Sequence, residues 1–313
     1  MLHKRLGGSE GGGVFAAPAV LERRRRLSAL LWRRPWLKAV ALLTPPVAWF
    51  VVIYLLALAA LFVSAFWSVD PFTTELIKWK HWNLENFRTI FENSAYRSIA
   101  FRTVWMAAAV TAADILLALP MAYYMARIAS PRVRSLLFVA VLIPLWASYL
   151  ARVYSWRLIL SHDGPLNWSL DKVGLPTVGV GYSLWAVWIV FTYVWLPFMV
   201  LPVYAALERI PDSYLEASRD LGAHGWRTTR SIVLPLALPG IVAGSIFTFS
   251  LTLGDYITPI LVGGGQQIIG NVVYANVGIA NNIPFAAAFA TIPLVVMGVY
   301  LLIARRLGAF EAL

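Results

Sequence analysis

Cysteine is absent from the 313 residues. Its absence excludes disulfides, thiolate metal sites and cysteine nucleophiles outright, and it leaves the redox compartment unreadable. Charge is scarce as well: Asp, Glu, Lys and Arg together make 13% of the chain, and only 15 residues are acidic. The histidines, His3, His81, His162 and His224, are scattered over tail and loops, with neither metal-ligand spacing nor a nucleophile beside them. No G-x-x-x-x-G-K-[ST] phosphate loop occurs, since the run Gly263-Gly264-Gly265 continues into Gln266-Gln267 without a lysine. The sequence therefore predicts no catalytic residue, no metal site and no cofactor. The chain is expected not to be an enzyme, and any ATP and Mg must be bound by a partner subunit.

What the chain has in excess is apolar surface. It is 60% hydrophobic with a mean hydropathy of +0.70, too apolar for a soluble domain of this size. Uncharged runs cover 39–69, 103–125 apart from Asp114, 135–151, 173–207, and 231–304 apart from Asp255. A helix needs roughly 20 apolar residues to cross a hydrocarbon core of about 30 Å, and the last run holds two such lengths around the glycine triplet. The expected spans are 36–68, 98–126, 135–159, 183–207, 236–262 and 285–304, giving an all-α polytopic membrane protein with six transmembrane helices surrounded by lipid.

Lys and Arg near span ends are retained in the cytoplasm. One side collects Lys4, Arg5, Arg23–Arg26, Arg33, Arg34 and Lys38, then Arg127, Arg132 and Arg134, then Arg209, Arg219, Arg227 and Arg230, and last Arg305 and Arg306. These are most of the 26 basic residues, so that side is expected to be cytoplasmic, with both termini inside. The net charge of +11 is thereby an orientation signal and lipid-headgroup contact, and no nucleic-acid partner is implied. Residues 1–35 read as a basic cytoplasmic tail, Gly-rich at its start and without the pattern of a cleaved signal.

Outside the membrane, the segment 70–97 carries Trp79, Trp82, Phe87 and Phe91 among mixed charges, which suits either an interfacial amphipathic piece or a plain loop with a short helix. The external loop 161–182 holds turn chemistry in Asp163-Gly164-Pro165 and Gly174-Leu175-Pro176 and should be compact. Prolines 120, 144, 197, 202, 239, 259 and 293 fall inside spans, where kinks suit a gated path. Gly240 and Gly244, four apart, fit close helix contact.

The inward loop 208–235 combines charge with helix-forming content. Pro211 or Asp212 can start a helix, which covers 213–221 and stops at Gly222, a residue that tolerates the left-handed conformation. A second short helix over 225–232 should lead to Pro235, where the next span begins. Within this loop Glu216-Ala217-Ser218, Gly222, Ile232, Leu234 and Pro235 fit the EAA-x3-G-x9-I-x-L-P signature, with Ser in place of the second Ala. The signature resembles that of permease subunits of bacterial ABC importers, the type I (MetI-like) permease fold. That resemblance implies a coupling helix docking into an ATP-binding subunit, with Glu216, Ala217, Ser218, Arg219, Asp220, Gly222, Leu234 and Pro235 at or beside the contact. The segments 83–87, 142–156, 196–204 and 253–259 are similar to spermidine/putrescine (PotB-type) importer permeases, from about residue 36 onward. The resemblance implies a homologous second permease subunit, two ATP-binding subunits and a periplasmic or extracellular solute-binding protein. It implies a small cationic solute, a polyamine foremost, although similar permeases serve 4-aminobutyrate and opines. In these terms 36–313 is the permease domain, placed in the bacterial inner membrane.

An ionised carboxylate in hydrocarbon is expensive and faces a partner or a wet path. Asp114 and Asp255 are the intramembrane acids. Asp255 is expected in the outer half of the fifth span, as counter-charge to a substrate amine or as a structural cap or partner of Arg102 or Arg152. Asp114 is a second pathway candidate or a structural acid. Trp146, Tyr149, Tyr193 and Trp195 could wall an alkyl-ammonium by cation–π contact. A gradient-driven carrier using the two acids is the rival reading.

Overall fold

The computed structural model describes residues 35–69, 76–77 and 82–306. The basic tail before Pro35, Trp79, and the last seven residues lie outside them. The chain divides into a unit ending at Ala60 and a unit from Leu61 onward. In the first unit α1 (Pro35–Trp49) continues through a wide π-type turn, Phe50–Leu55, into α2 (Leu56–Ser64), which enters the second unit. Pro45 and Pro46 remove two backbone donors from α1, and the helix widens one turn later, a common way to rehouse the freed carbonyls. Residues 38–64 form one apolar span.

The second unit starts with a two-residue antiparallel ladder, β1 (Ser68–Val69) with β2 (Leu76–Ile77), and then α3 (Glu85–Glu92). The amphipathic helix α3 is the short helix expected in this segment. Phe87 packs on Phe66, which also stacks with Trp82 at 5.7 Å, while Phe91 stays exposed. The long α4 (Ser94–Tyr123) passes into a wide turn, Tyr124–Ile128. Helices α5 (Pro131–Trp146), α6 (Tyr149–Ile159) and α7 (Pro165–Lys172) follow, then α8 (Leu184–Glu208), α9 (Asp212–Asp220) and α10 (Gly225–Thr228). A wide turn, Thr229–Val233, joins α10 to α11 (Leu234–Gly254); the chain ends with α12 (Ile257–Val262), α13 (Ile269–Gly278) and α14 (Ile283–Arg306).

Helices α4, α8 and α11 pack on one another as the centre of this unit. At one end of that centre Ala122, Met125, Val203, Leu207, Leu215 and Val233 form a single apolar cluster, so the short α9 is rooted in the core through Leu215. At the other end Val110, Val153, Phe191, Val194 and Val262 bind α6 and α12 to α4 and α8. The paired glycines do what their spacing suggests. A Cβ on Gly240 would stand 2.5 Å from the Pro202 carbonyl oxygen, and one on Gly244 would stand 2.6 Å from Met199 Sδ, so α11 lies directly on the backbone of α8. The loop 161–182 is compact around Asn167, whose side chain donates to the Ser161 and His162 carbonyls and accepts from Val178 N–H at 2.8 Å.

Among the described residues, five helices are long and apolar enough to span a bilayer, and a sixth span exists only as a bent pair. Three expectations are corrected here. The third span, 135–159, is broken: α5 and α6 meet at 97°, because Ala147 and Ser148 adopt extended dihedrals that no hydropathy pattern encodes. The fifth span does not run to residue 262. It stops at Gly254, with Asp255 extended and α12 starting afresh. The second helix of the loop 208–235 is not separate from the next span, since 225–254 is one continuous helix in which the wide turn Thr229–Val233 precedes Pro235 and relieves the clash a proline imposes one turn back.

Candidate functional site

The loop between α8 and α11 presents a short, stiffly mounted helix. Pro211 holds the extended conformation that precedes α9, and Asp212 places a carboxylate at the positive end of its dipole. The helix closes at Gly222, with φ of +72° and no atom near enough to obstruct a side chain, so glycine is required there by backbone conformation alone. Gly222 N–H donates to Arg219 O at 2.8 Å and Ala223 N–H to Ser218 O at 3.0 Å. The chain then reverses into α10, and the Ser218 and Thr228 hydroxyls meet at 2.8 Å across the corner.

Of the residues expected at a docking contact, Glu216, Ala217, Arg219, Asp220 and Gly222 are exposed on the outer side of α9. Ser218 is instead buried, its hydroxyl turned to Thr228, and Leu234 and Pro235 lie inside the continuous helix leading to α11. Ser218 thus shapes the corner and Leu234 and Pro235 belong to the helix leading on from it, while the others are exposed on α9 and its end. Residue-type reasoning missed the apolar part of this surface. Leu221 is 88% exposed, and Tyr214 and Trp226 are also open to solvent. Tyr214, Ala217, Leu221, Arg227 and Ile232 line a groove of about 460 Å³. Exposed aromatic and aliphatic side chains flanking a groove and rimmed by charges have the character of a protein-docking patch.

Arg127 was legible only as one of several orienting charges. Its guanidinium is largely buried and donates to Asp212 Oδ1 at 2.7 Å, to Leu207 O at 2.6 Å and to Ile210 O at 2.5 Å. One cation in the wide turn after α4 thereby fastens the Leu207 carbonyl of α8, the Ile210 carbonyl just beyond it and the first residue of α9. A displacement of α9 is carried into two spans together, because packed elements joined this way move as bodies.

A second cluster lies where α11 breaks. Asp255 Oδ1 accepts the Thr258 N–H at 2.9 Å and caps α12, while Oδ2 accepts the Tyr149 hydroxyl. Tyr149 also meets Thr258 Oγ1 at 2.6 Å. The sharp turn before α6 is what brings Tyr149 here. Its ring stacks on Trp195 at 5.8 Å, with the Arg152 guanidinium 5.8 Å from the Tyr149 centroid. Tyr193 packs its ring against Trp156 at 5.3 Å. Asp255, Tyr149 and Trp195 are therefore assembled together, with Tyr193 on the neighbouring wall. Trp146 is not part of the stack, ending α5 at 91% exposure. Asp114 is fully buried, and neither carboxylate oxygen has a hydrogen-bond partner among the described residues. Arg102 donates to Gln266 Oε1 at 2.8 Å instead of pairing with Asp255.

Comparison with known proteins places this geometry. The family model described as binding-protein-dependent transport system inner membrane component matches residues 114–309, which include both the loop and the α11 break. The inner membrane ABC transporter permease protein YdcU of Escherichia coli (strain K12) is 46% identical over 301 residues, covering 92% of this chain and 95% of that protein. The spermidine/putrescine transport system permease protein PotB of the same organism is 33% identical over 226 residues, 71% of this chain and 82% of PotB. A crystallised bacterial alginate ABC transporter, in complex with its pentasaccharide-bound periplasmic protein, has a chain that superposes with a TM-score of 0.67 at 19% identity. The superposition covers 89% of this chain and 96% of that one, and the shared feature is the fold. The chain belongs to the binding-protein-dependent inner-membrane component family and is a non-enzymatic, multi-span permease subunit of an ABC importer.

Proposed function

We propose that the chain forms one half of the membrane path of an importer for a small organic amine, a polyamine such as spermidine or putrescine foremost. The observation that carries this reading is the Asp255 carboxylate at a helix break, beside the stacked rings of Tyr149 and Trp195. A carboxylate with aromatic faces next to it is the chemistry that recognises an alkyl-ammonium. The relatedness to a spermidine/putrescine permease supports the same solute class. In this reading a soluble protein delivers the solute from outside, a homologous permease chain completes the path, and two ATPase subunits act on α9 from the cytoplasm. Glu216, Ala217, Arg219, Asp220 and the exposed Tyr214, Leu221 and Trp226 make the ATPase contact. Both termini are cytoplasmic, in keeping with the basic residues at that side.

The test is transport and ATPase stimulation by a panel of polyamines in the reconstituted complex. Asp255→Asn keeps the shape and removes the charge, so polyamine-stimulated activity should fall about tenfold or more, as expected for losing a charge-assisted contact. Unchanged concentration dependence for every amine would remove Asp255 from solute recognition.

A further inference from the structure

The cavity beside α6 contains a cation without an anion. Arg152 projects from α6 into a space of about 330 Å³ bounded by Ala147, Ala151, Ser155, Trp156 and Tyr193. Its Nε and one terminal nitrogen are sealed from solvent and have no hydrogen-bond partner among the described residues. The Tyr149 ring, its centroid 5.8 Å from the guanidinium carbon, is the partial compensation seen among the described residues. Asp255 accepts the Thr258 amide on one oxygen and the Tyr149 hydroxyl on the other and makes no ion pair with Arg152. No carboxylate of the described residues lies within ion-pair distance of Arg152. A guanidinium at membrane depth with buried, unpaired N–H groups requires an acceptor.

The flank of the cavity indicates what supplies it. Ala151 and Ser155 lie four residues apart on α6, Ala147 stands at the bend before it, and all three are exposed. Ser155 folds its hydroxyl back onto the Ala151 carbonyl at 2.8 Å, which leaves a smooth face of small side chains beside Arg152. Such a face lets another helix approach to backbone contact, whereas a lipid chain has no need of it. Trp146, the last residue of α5, is likewise exposed just before the bend. We propose that this face of α6 receives a helix of the second permease chain, and that an Asp or Glu on that helix enters the cavity to pair with Arg152. The proposal rests on the two-chain reading above and adds the surface and the charge that join the chains.

The test uses the assembled transporter in membranes, with a photo-crosslinking amino acid in place of Ala151. The expected product is an adduct to the second permease chain, at a segment with Asp or Glu within one turn of the attachment point. In parallel, Arg152→Glu should abolish both the adduct and co-purification of the second chain, and Arg152→Lys should retain them. Membrane retention and near-native exchange protection of α4 and α8 identify a folded Arg152→Glu chain. Reversing the matching carboxylate to Arg should restore the adduct in that background. An adduct to lipid alone, or an Arg152→Glu chain that still binds its partner, overturns the proposal. If no second permease chain co-purifies even with the unsubstituted protein, the two-chain reading itself fails, an outcome distinct from an intact pair that lacks the Ala151 adduct.

Discussion

Replacing Arg127 by Ala removes three hydrogen bonds that hold the root of α9. Their worth is unequal. Asp212 has 80% of its side chain exposed while that of Arg127 is 12% exposed, so the ion pair itself is screened and contributes about 0–1 kcal/mol. The bonds to the Leu207 and Ile210 carbonyls pair a charged donor with neutral acceptors, each worth about 1.5–3 kcal/mol when no water substitutes. Water reaches these carbonyls once the guanidinium is gone, and halving their sum leaves a local loss of about 1.5–3 kcal/mol. At 1.4 kcal/mol per factor of ten, amides of α9 should lose protection from hydrogen exchange roughly tenfold at the lower bound. Amides in the middle of α8 should stay as they were. In the reconstituted complex, ATP hydrolysis should persist while solute stimulation of it falls, because the helix remains but its mounting has loosened. Lysine at this position keeps the charge and loses the fork, so it should restore part of the effect. Equal exchange in α9 of wild type and Arg127→Ala would refute the clamp.

Gly222→Ala forces a side chain into the left-handed conformation, at a cost of about 1–2 kcal/mol with no steric clash to add. Purified protein should lose that much stability locally, with solute-stimulated ATPase activity reduced, and Gly222→Asn should be milder. Gly240→Leu has a backbone oxygen 2.5 Å from its Cβ and must part α11 from α8. A destabilisation of about 1–3 kcal/mol or more is expected, read as a lowered midpoint in detergent thermal unfolding.

Local signals made the inward loop legible. Pro211, Gly222 and Pro235 are within one short stretch, and each constrains its own backbone, so sequence alone located α9 closely. The unbroken spans were equally legible because lipid demands a single property along some 20 residues. The bend at Ala147-Ser148 was not, since both residues suit an apolar helix and the turn is chosen by what α6 packs upon. Nor was α13, ten residues long, anchored by Ile269 and Val272 against Phe285 and Phe289 of α14. At the site, Asp255 stood out as a rare intramembrane acid. Its partner Tyr149 is 106 positions away, and Arg127 lies 80 to 85 positions from the groups it holds. Such pairings exist only after the spans have packed. The exposed Leu221 passed for a helix-end residue until its surroundings were known.

The claim on which the rest depends is that the exposed side of α9 is where an ATPase subunit docks. Leu221→Asp places a charge at the centre of that patch without touching the buried anchors Leu215 and Ser218. The measurement is co-purification of the ATPase subunit with the tagged permease chain from the same membranes. The account expects the variant to remain in the membrane with native thermal stability and to lose its ATPase, together with all ATP-driven uptake. An ATPase retained at the wild-type ratio, with uptake intact, would contradict it.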